Sequence, residues 1–211
     1  MSVEVWLMFS LAYLTVTLSP GPNVLLVVQN SVKYGWKSAI STIIGNLACQ
    51  FIVVGMVAIG VGGIIAQLPT WFFVMKCVGG VYLIYLGYQS LTKKHTGVFV
   101  SKKIDAGNGV PVAKTLFKQA FLVSASNPKT LIFLSAFLPQ FINTAKSQLC
   151  QFGIMYCSIC LIVLLVHVAY ALIFGGVGQR LKSIRFEEKL SKVTGGLFIS
   201  MGGGVLLSSR A

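Results

Sequence analysis

The stretches Leu18-Ser19-Pro20-Gly21-Pro22-Asn23 and Ser124-Ala125-Ser126-Asn127-Pro128-Lys129 decide the fold of this 211-residue chain. Each one interrupts a long apolar segment with proline and small polar residues. Proline removes a backbone N–H donor and kinks or breaks a helix. Non-helical backbone is tolerated at membrane depth only where it is buried in protein or lines a water-filled cavity. Both stretches are therefore predicted to line the functional site.

The composition around these stretches is that of an integral membrane protein. Hydrophobic residues make up 55% of the chain and charged residues 10%, whereas soluble domains carry about 25% charged residues. Several apolar runs exceed the roughly 20 residues that a helix needs to cross a bilayer. The net charge of +13 comes from short basic stretches between these runs. Membrane lipid, and not nucleic acid, is therefore the expected surrounding partner.

Six membrane-spanning helices are predicted, in a single all-α membrane domain with two halves. The halves cover about residues 1–91 and 116–211, and a polar cytoplasmic loop at 92–115 joins them. The first and fourth spans carry the breaks. The predicted spans are Val5–Ser31, Ser38–Gln67, Thr70–Leu91, Leu116–Ile142, Leu149–Gly176 and Leu190–Ser208.

The basic residues predict the orientation of the chain. Most of the 17 lysines and arginines follow the first, third and fifth spans, and the positive-inside rule assigns such loops to the cytoplasm. Both termini are then expected on the periplasmic side. Three spans per half make the halves enter the membrane from opposite sides, which is the arrangement of an inverted repeat. Interrupted spans at corresponding positions of two such halves indicate a transporter binding site.

A new half-helix is expected to begin after each break. Ser19 or Asn127 is a plausible N-cap, and Pro22 or Pro128 suits the first turn. The free N–H groups and positive dipole ends of the half-helices would then meet near the membrane centre, where they suit a carboxylate. The alternative is that both breaks only shape the helices. The predicted substrate-binding residues at the breaks are Ser19, Pro20, Gly21, Pro22, Asn23, Asn127, Pro128 and Lys129.

Lys129 is a cation near mid-membrane, where a charge is expensive and usually functional. The chain has four acidic residues, and none falls in the predicted membrane core: Glu4, Asp105, Glu187 and Glu188. Lys129 must therefore use water, backbone carbonyls or a substrate carboxylate, unless lipid or a second subunit supplies a partner. The alternative is that its side chain snorkels to the membrane surface.

The lack of acids also favours a zwitterionic or neutral substrate over a dicationic one. Its ammonium group would be met by carbonyls freed at the breaks, by Asn23, Asn46 or Gln50, or by the faces of Tyr82 and Tyr85. For each of these polar residues, an interhelical hydrogen bond is at least as plausible a role. The many glycines are expected to permit close helix packing, and they allow a homodimer.

His167 is the only histidine in an apolar run, and histidine titrates near physiological pH. His167 and Lys129 are the candidates for proton coupling, although a lone histidine more often satisfies a helix contact. The five cysteines are expected to pack as small hydrophobes. The redox-like spacing of Cys157 and Cys160 leaves a membrane thiol-disulfide relay open, with a metal-ion exporter as a third possibility.

Three motifs together resemble one known family over essentially the full chain. They are Ser19-Pro20-Gly21-Pro22-Asn23, the segment Tyr82–Gln89 that closes the third span, and Asn127-Pro128-Lys129-Thr130 leading to Phe137–Ile142. In order and spacing they are similar to the LysE/RhtB family of bacterial amino-acid exporters. The second-half motif looks most like the homoserine, homoserine lactone and threonine branch.

The resemblance implies a bacterial inner-membrane efflux carrier that exports small neutral amino acids, coupled to proton entry. It implies neither an enzyme nor a cofactor. The chain departs from family members that have an acidic residue after the glycine of the second span, because Gly45 is followed here by Asn46. Asn127 is likewise neutral. Both departures argue against export of lysine or arginine.

Overall fold

The computed structural model describes residues 1–67, 69–92, 113–143, 145–177 and 184–207. Every regular element in these ranges is helical, which confirms the all-α class for the described chain. The predicted loop at 92–115 lies almost entirely outside the described residues. The α-helices are α1 (Val3–Leu18), α2 (Pro22–Tyr34), α3 (Ser38–Gln67), α4 (Pro69–Thr92), α5 (Ala113–Ala125), α6 (Pro128–Ile132), α7 (Gln148–Leu172) and α8 (Ile184–Leu207).

Two of these helices are long and apolar enough to cross a membrane alone. They are α3, over Ser38–Gly60, and α7 with its extension, over Gln148–Gly175. Each bent pair, α1 with α2 and α5 with the segment Pro128–Phe141, also qualifies if it is counted as one span. The described chain thus supports up to four crossings by length and composition, and the predicted six remain a prediction.

The first break bends the chain by 55° between α1 and α2. Both residues that precede a proline are extended: Ser19 has φ −66° and ψ 124°, and Gly21 has φ −148° and ψ −179°. Proline disfavours helical backbone in the preceding residue. The prediction that Ser19 is the N-cap of the second half-helix is wrong, because Pro22 at the first helical position makes Gly21 the cap and leaves Ser19 as the C-cap of α1.

The second break bends the chain by 62° between α5 and the segment Pro128–Phe141, which begins with α6. Here the predicted N-cap is confirmed, since Asn127 accepts a hydrogen bond from the backbone N–H of Lys129 at 3.1 Å. Pro128 occupies the first turn, as predicted. Beyond α6 the chain continues as a π-helical turn, Phe133–Phe137, and a 3₁₀ turn, Leu138–Phe141. The second half-helix is therefore irregular along most of its length.

Glycines bring α4 and α8 into backbone contact. A Cβ atom added to Gly87 would lie 2.7 Å from the carbonyl oxygen of Gly195, and one added to Gly202 would lie 2.6 Å from that of Gly80. Small residues are what allow such close approach between membrane helices, because lipid provides no hydrophobic drive for their association. Close packing is therefore the role of these four glycines, as predicted.

Candidate functional site

The two breaks lie against each other in the folded chain. The side-chain amide nitrogen of Asn23, in the first turn of α2, lies 3.3 Å from Ser124 Oγ and 3.4 Å from Thr130 Oγ1. The ammonium nitrogen of Lys129 donates to the carbonyl oxygen of Ser19 at 2.8 Å. These contacts join segments more than a hundred residues apart, so the folded chain brings both interruptions into one site.

A small cavity of about 30 Å³, measured as the space open to the centres of water-sized molecules, lies at this junction and is partly open to solvent. Residues of α1, α2, α3 and α7 and of both breaks surround it. Seven of the predicted site residues line it: Ser19, Gly21, Asn23, Gln50, Asn127, Lys129 and His167. The remaining lining residues are Tyr13, Val16, Thr17, Val24, Thr130, Phe133 and Val163.

Backbone carbonyls at the first break are free to bind side chains. The usual helical partner of the Leu18 carbonyl would be the N–H of residue 22, and Pro22 has none. The Tyr170 hydroxyl instead donates to this oxygen at 2.9 Å. The Lys129 ammonium donates a hydrogen bond to the next carbonyl, that of Ser19. The first break thus offers carbonyl acceptors to side chains, and Ser19, which carries one of them, lines the cavity.

The Lys129 side chain is half-buried and has no carboxylate within 4 Å among the described residues. Besides the Ser19 carbonyl, its ammonium nitrogen lies 5.8 Å from the ring centroid of Phe198, which is fully buried on α8. An aromatic face attracts a cation weakly. Lys129 is therefore held by a carbonyl dipole and a ring, as a cation that an incoming carboxylate could bind.

Further polar groups complete the lining. The Tyr13 hydroxyl donates to Gln50 Oε1 at 2.8 Å, and both side chains are buried. His167, on α7, is 2% exposed, and its Nδ1 has no hydrogen-bond partner in the described chain. The same is true of Asn23 Oδ1. Unpaired buried polar atoms facing a cavity are suited to water or a polar ligand.

Six predicted site residues are not part of the lining. Pro20, Pro22 and Pro128 set the bends without facing the cavity. Asn46 is fully buried on α3. The rings of Tyr82 and Tyr85, on α4, lie 6.1 Å apart, and Tyr85 is 54% exposed. The structure therefore does not bring the two tyrosines to the cavity.

Three polar lining residues, Tyr13, Thr17 and Thr130, were not among the predicted site residues. Tyr13 and Thr17 are polar residues one helical turn apart in an otherwise apolar span, and the Thr17 hydroxyl donates to the Tyr13 carbonyl at 2.8 Å. That spacing was the available signal. Thr130 directly follows Lys129 in the half-helix, and its hydroxyl faces Asn23.

The cysteines are not part of the cavity lining. Cys49 is buried on α3, Cys77 lies on α4, and the other three are on α7, all as free thiols. None of the five lines the cavity. In the described ranges, no three or more His, Cys, Asp or Glu side chains cluster in a way that could hold a metal ion.

Comparison with known proteins identifies the family. The sequence model of the family described as "LysE type translocator" matches residues 14–209. The chain belongs to the LysE type translocator family. This confirms the resemblance drawn from the three motifs. No solved structure matches this translocator.

Curated relatives cover the full chain. One is a Salmonella typhimurium protein named homoserine/homoserine lactone efflux protein, 29% identical, with 100% of this chain and 99% of the relative aligned. A Salmonella typhi protein of the same name has the same identity and coverage. A Vibrio cholerae protein described as a membrane protein is 29% identical, with 99% of this chain and 98% of the relative aligned.

Proposed function

We propose that this translocator exports small neutral amino acids or their derivatives, of the homoserine, homoserine lactone and threonine type, across the bacterial inner membrane. The names of the two Salmonella relatives support the substrate class. The observation that carries the proposal is the meeting of both helix breaks at one cavity, where Lys129 is bound to the Ser19 carbonyl.

This contact suggests how a zwitterion binds. A substrate carboxylate would pair with the Lys129 ammonium and the free N–H groups that begin α2. At about 4 Å, two unit charges attract by about 4 kcal/mol in a partly polar environment. The Ser19 carbonyl, released by Lys129, would then accept the substrate ammonium. Homoserine lactone lacks the carboxylate and would keep the ammonium contact with a weaker carbonyl contact to Lys129.

The charge of the lining favours neutral substrates. Lys129 brings a positive charge to it, and none of the lining residues is acidic. The second positive charge of lysine or arginine would enter without a partner, and an unpaired buried charge is strongly unfavourable. Export of dicationic amino acids is therefore not expected.

Transport is proposed to be coupled to protons through Lys129 or His167, the two basic side chains that line the cavity. Substrate and proton would reach the site alternately from the two sides of the membrane.

We further propose six crossings with both termini in the periplasm, as the basic loops predict. Alkaline phosphatase fused to the C-terminus should then be active, whereas a cytoplasmic C-terminus would leave it inactive.

The deciding experiment is transport in reconstituted vesicles. Purified protein in vesicles with an imposed pH gradient is screened against homoserine, homoserine lactone, threonine, alanine, lysine and arginine. Flux of the neutral substrates that depends on the gradient is expected, with little flux of lysine or arginine. Vesicles that hold the Lys129→Gln variant serve as the matched control. If correctly inserted protein moves none of the neutral compounds, the proposed function is wrong.

A further inference from the structure

A row of buried polar side chains leads along α3 towards the cavity. Thr42, Asn46 and Gln50 are spaced four residues apart, so they lie on the same face of the helix. Their exposed fractions are 0%, 0% and 2%. At 1.5 Å per residue, the row covers about 12 Å along the axis. It is unusual for a helix that is otherwise rich in apolar residues to bury three such side chains in line.

One end of this row lies near the connection between α2 and α3. The side-chain amide of Asn30, on α2, donates to Thr42 Oγ1 at 3.0 Å. The Ser38 hydroxyl donates to the Asn30 carbonyl at 2.8 Å. Lys37, in the connection itself, is exposed. The polar row therefore begins close to an exposed part of the chain.

The other end of the row is the wall of the cavity. Gln50 lines the cavity and accepts the hydrogen bond from Tyr13. Thr42 and Gln50, the two outer members, thus have partners on α2 and α1 respectively. The row therefore runs from the α2–α3 connection to the wall of the cavity.

Asn46, in the middle, has no such partner. It is fully buried, and neither its amide nitrogen nor its amide oxygen makes a hydrogen bond within the described chain. A buried amide with both ends unpaired is unfavourable for folding, and an apolar side chain of similar size would pack there without that penalty. The side chain is therefore suited to a partner that enters the protein, such as water or a polar solute.

The helix that contacts the Thr42 end of this row, α2, is bounded by glycines. α2 begins after Gly21 and ends before Gly35, whose φ is +86°, a left-handed conformation that favours glycine. Within the described part of the chain, no neighbouring atom lies within 4 Å of a Cβ added to Gly35. Residues at the ends of elements are where hinge movements occur. The two ends of this short helix are therefore the positions at which a hinge movement relative to α3 would occur.

We propose that the row Thr42–Asn46–Gln50 is the access route between the cavity and the membrane face at which α2 joins α3, and that this route is closed at Asn46 in the present state. Movement of α2 away from α3 opens it. Water and the polar solute then pass along the hydroxyl and amide groups, and Asn46 acquires the partners that it lacks here. The identity of the solute, but not the route, rests on the proposed function.

Cysteine labelling tests the route directly. In a background with the five native cysteines replaced, the Thr42→Cys and Asn46→Cys variants are compared with Ile43→Cys. Ile43 is 1% exposed on the same helix and lies in the apolar core, so it is a matched control. The reagent is a membrane-impermeant methanethiosulfonate with a quaternary ammonium group, added from the side of the α2–α3 connection. Thr42→Cys and Asn46→Cys should react about tenfold faster than Ile43→Cys, because the thiolate forms only where water reaches it.

The possible outcomes distinguish a failure of the proposed access route from a failure of the proposed substrate class. Reaction of all three variants at the slow rate of Ile43→Cys would overturn the route and leave the proposed function standing. Fast reaction that homoserine and threonine slow down supports both. Fast reaction that no amino acid slows supports the route and counts against the proposed substrate class.

A second variant tests the same route in the native background. Asn46→Leu removes the unpaired amide, so its thermal unfolding midpoint in detergent should be unchanged or higher. Transport should nevertheless fall by about tenfold, because an apolar side chain closes a route for polar solutes. Unchanged transport by this variant would overturn the proposal.

Discussion

The ammonium nitrogen of Lys129 lies 2.8 Å from the carbonyl oxygen of Ser19, a residue 110 positions earlier in the chain. One partner is a cation without a carboxylate among the described residues, and the other is a carbonyl at the end of an interrupted helix. The hydrogen bond between them gives each group one partner but leaves the charge of the ammonium without a counter-ion in the described chain. A zwitterion carries both complementary charges, so it can replace this contact with two stronger ones.

The role of Lys129 can be tested with Lys129→Gln. Neutral amino-acid transport should fall by roughly tenfold or more, because a charge-assisted hydrogen bond contributes about 1.5–3 kcal/mol and tenfold corresponds to about 1.4 kcal/mol. The measurement is flux into reconstituted vesicles. Lys118→Gln is the control, since Lys118 is exposed on α5 and does not line the cavity. Equal flux in both variants would show that Lys129 does not bind substrate.

Proton coupling can be assigned by comparing His167→Asn with Lys129→Gln. If His167 is the carrier, His167→Asn should still exchange labelled for unlabelled substrate but should no longer respond to a pH gradient. If Lys129 is the carrier, the flux that remains in Lys129→Gln should be independent of the gradient. Val163→Ala, which changes an apolar lining residue one turn before His167, should remain coupled. Retention of the full response to the gradient by both His167→Asn and Lys129→Gln would exclude both side chains as the carrier.

The packing of α4 on α8 can be tested with adjacent glycines. A Cβ atom on Gly195 would lie 2.9 Å from Leu91 Cγ and 3.0 Å from the Gly87 carbonyl oxygen, whereas a Cβ atom on Gly196 meets nothing within 4 Å. Gly195→Ala should therefore destabilise the fold by about 1–3 kcal/mol. Gly196→Ala should leave stability unchanged or raise it slightly, since alanine favours the helix. Thermal unfolding in detergent measures both, and a similar change in the two would contradict the packing.

Replacing all five cysteines with alanine should leave transport nearly unchanged. None of them lines the cavity, and the proposed mechanism uses no thiol. Cys49, 3% exposed in the core, is the position where a small loss of stability is expected. Flux and protein yield are measured side by side in the native and cysteine-free proteins. Loss of flux at normal yield would favour the thiol-disulfide relay instead.

Much of the fold was predictable because prolines and apolar runs act locally. Pro22 and Pro128 fix where each second half-helix begins, and Asn127 has the short polar side chain that caps such an end. The wrong prediction of Ser19 as the N-cap has an equally local cause. Two prolines flank Gly21, so both the residue before Pro20 and the residue before Pro22 become extended, and the cap moves two positions along the chain.

The lining of the cavity was only partly predictable. Gln50 and His167 were singled out as polar groups in apolar helices, and both line it. Tyr82 and Tyr85 were selected by the same reasoning and do not, because residue type does not reveal which face of α4 turns towards α8 and the breaks. Tyr13 was missed because a tyrosine in an apolar span is equally typical of packing or of the membrane interface.

The sequence by itself determined that this is a membrane protein, where its two helices are interrupted, and to which family it belongs. These follow from local properties: hydrophobic content, the missing N–H of proline, and short motifs in a fixed order. Only the tertiary structure decided that Lys129 meets Ser19, that Asn23 meets Thr130, and that Asn46 is buried without a hydrogen-bond partner among the described residues. Those relationships depend on how separate helices approach and rotate against one another, and that is set by packing contacts distributed over the whole chain.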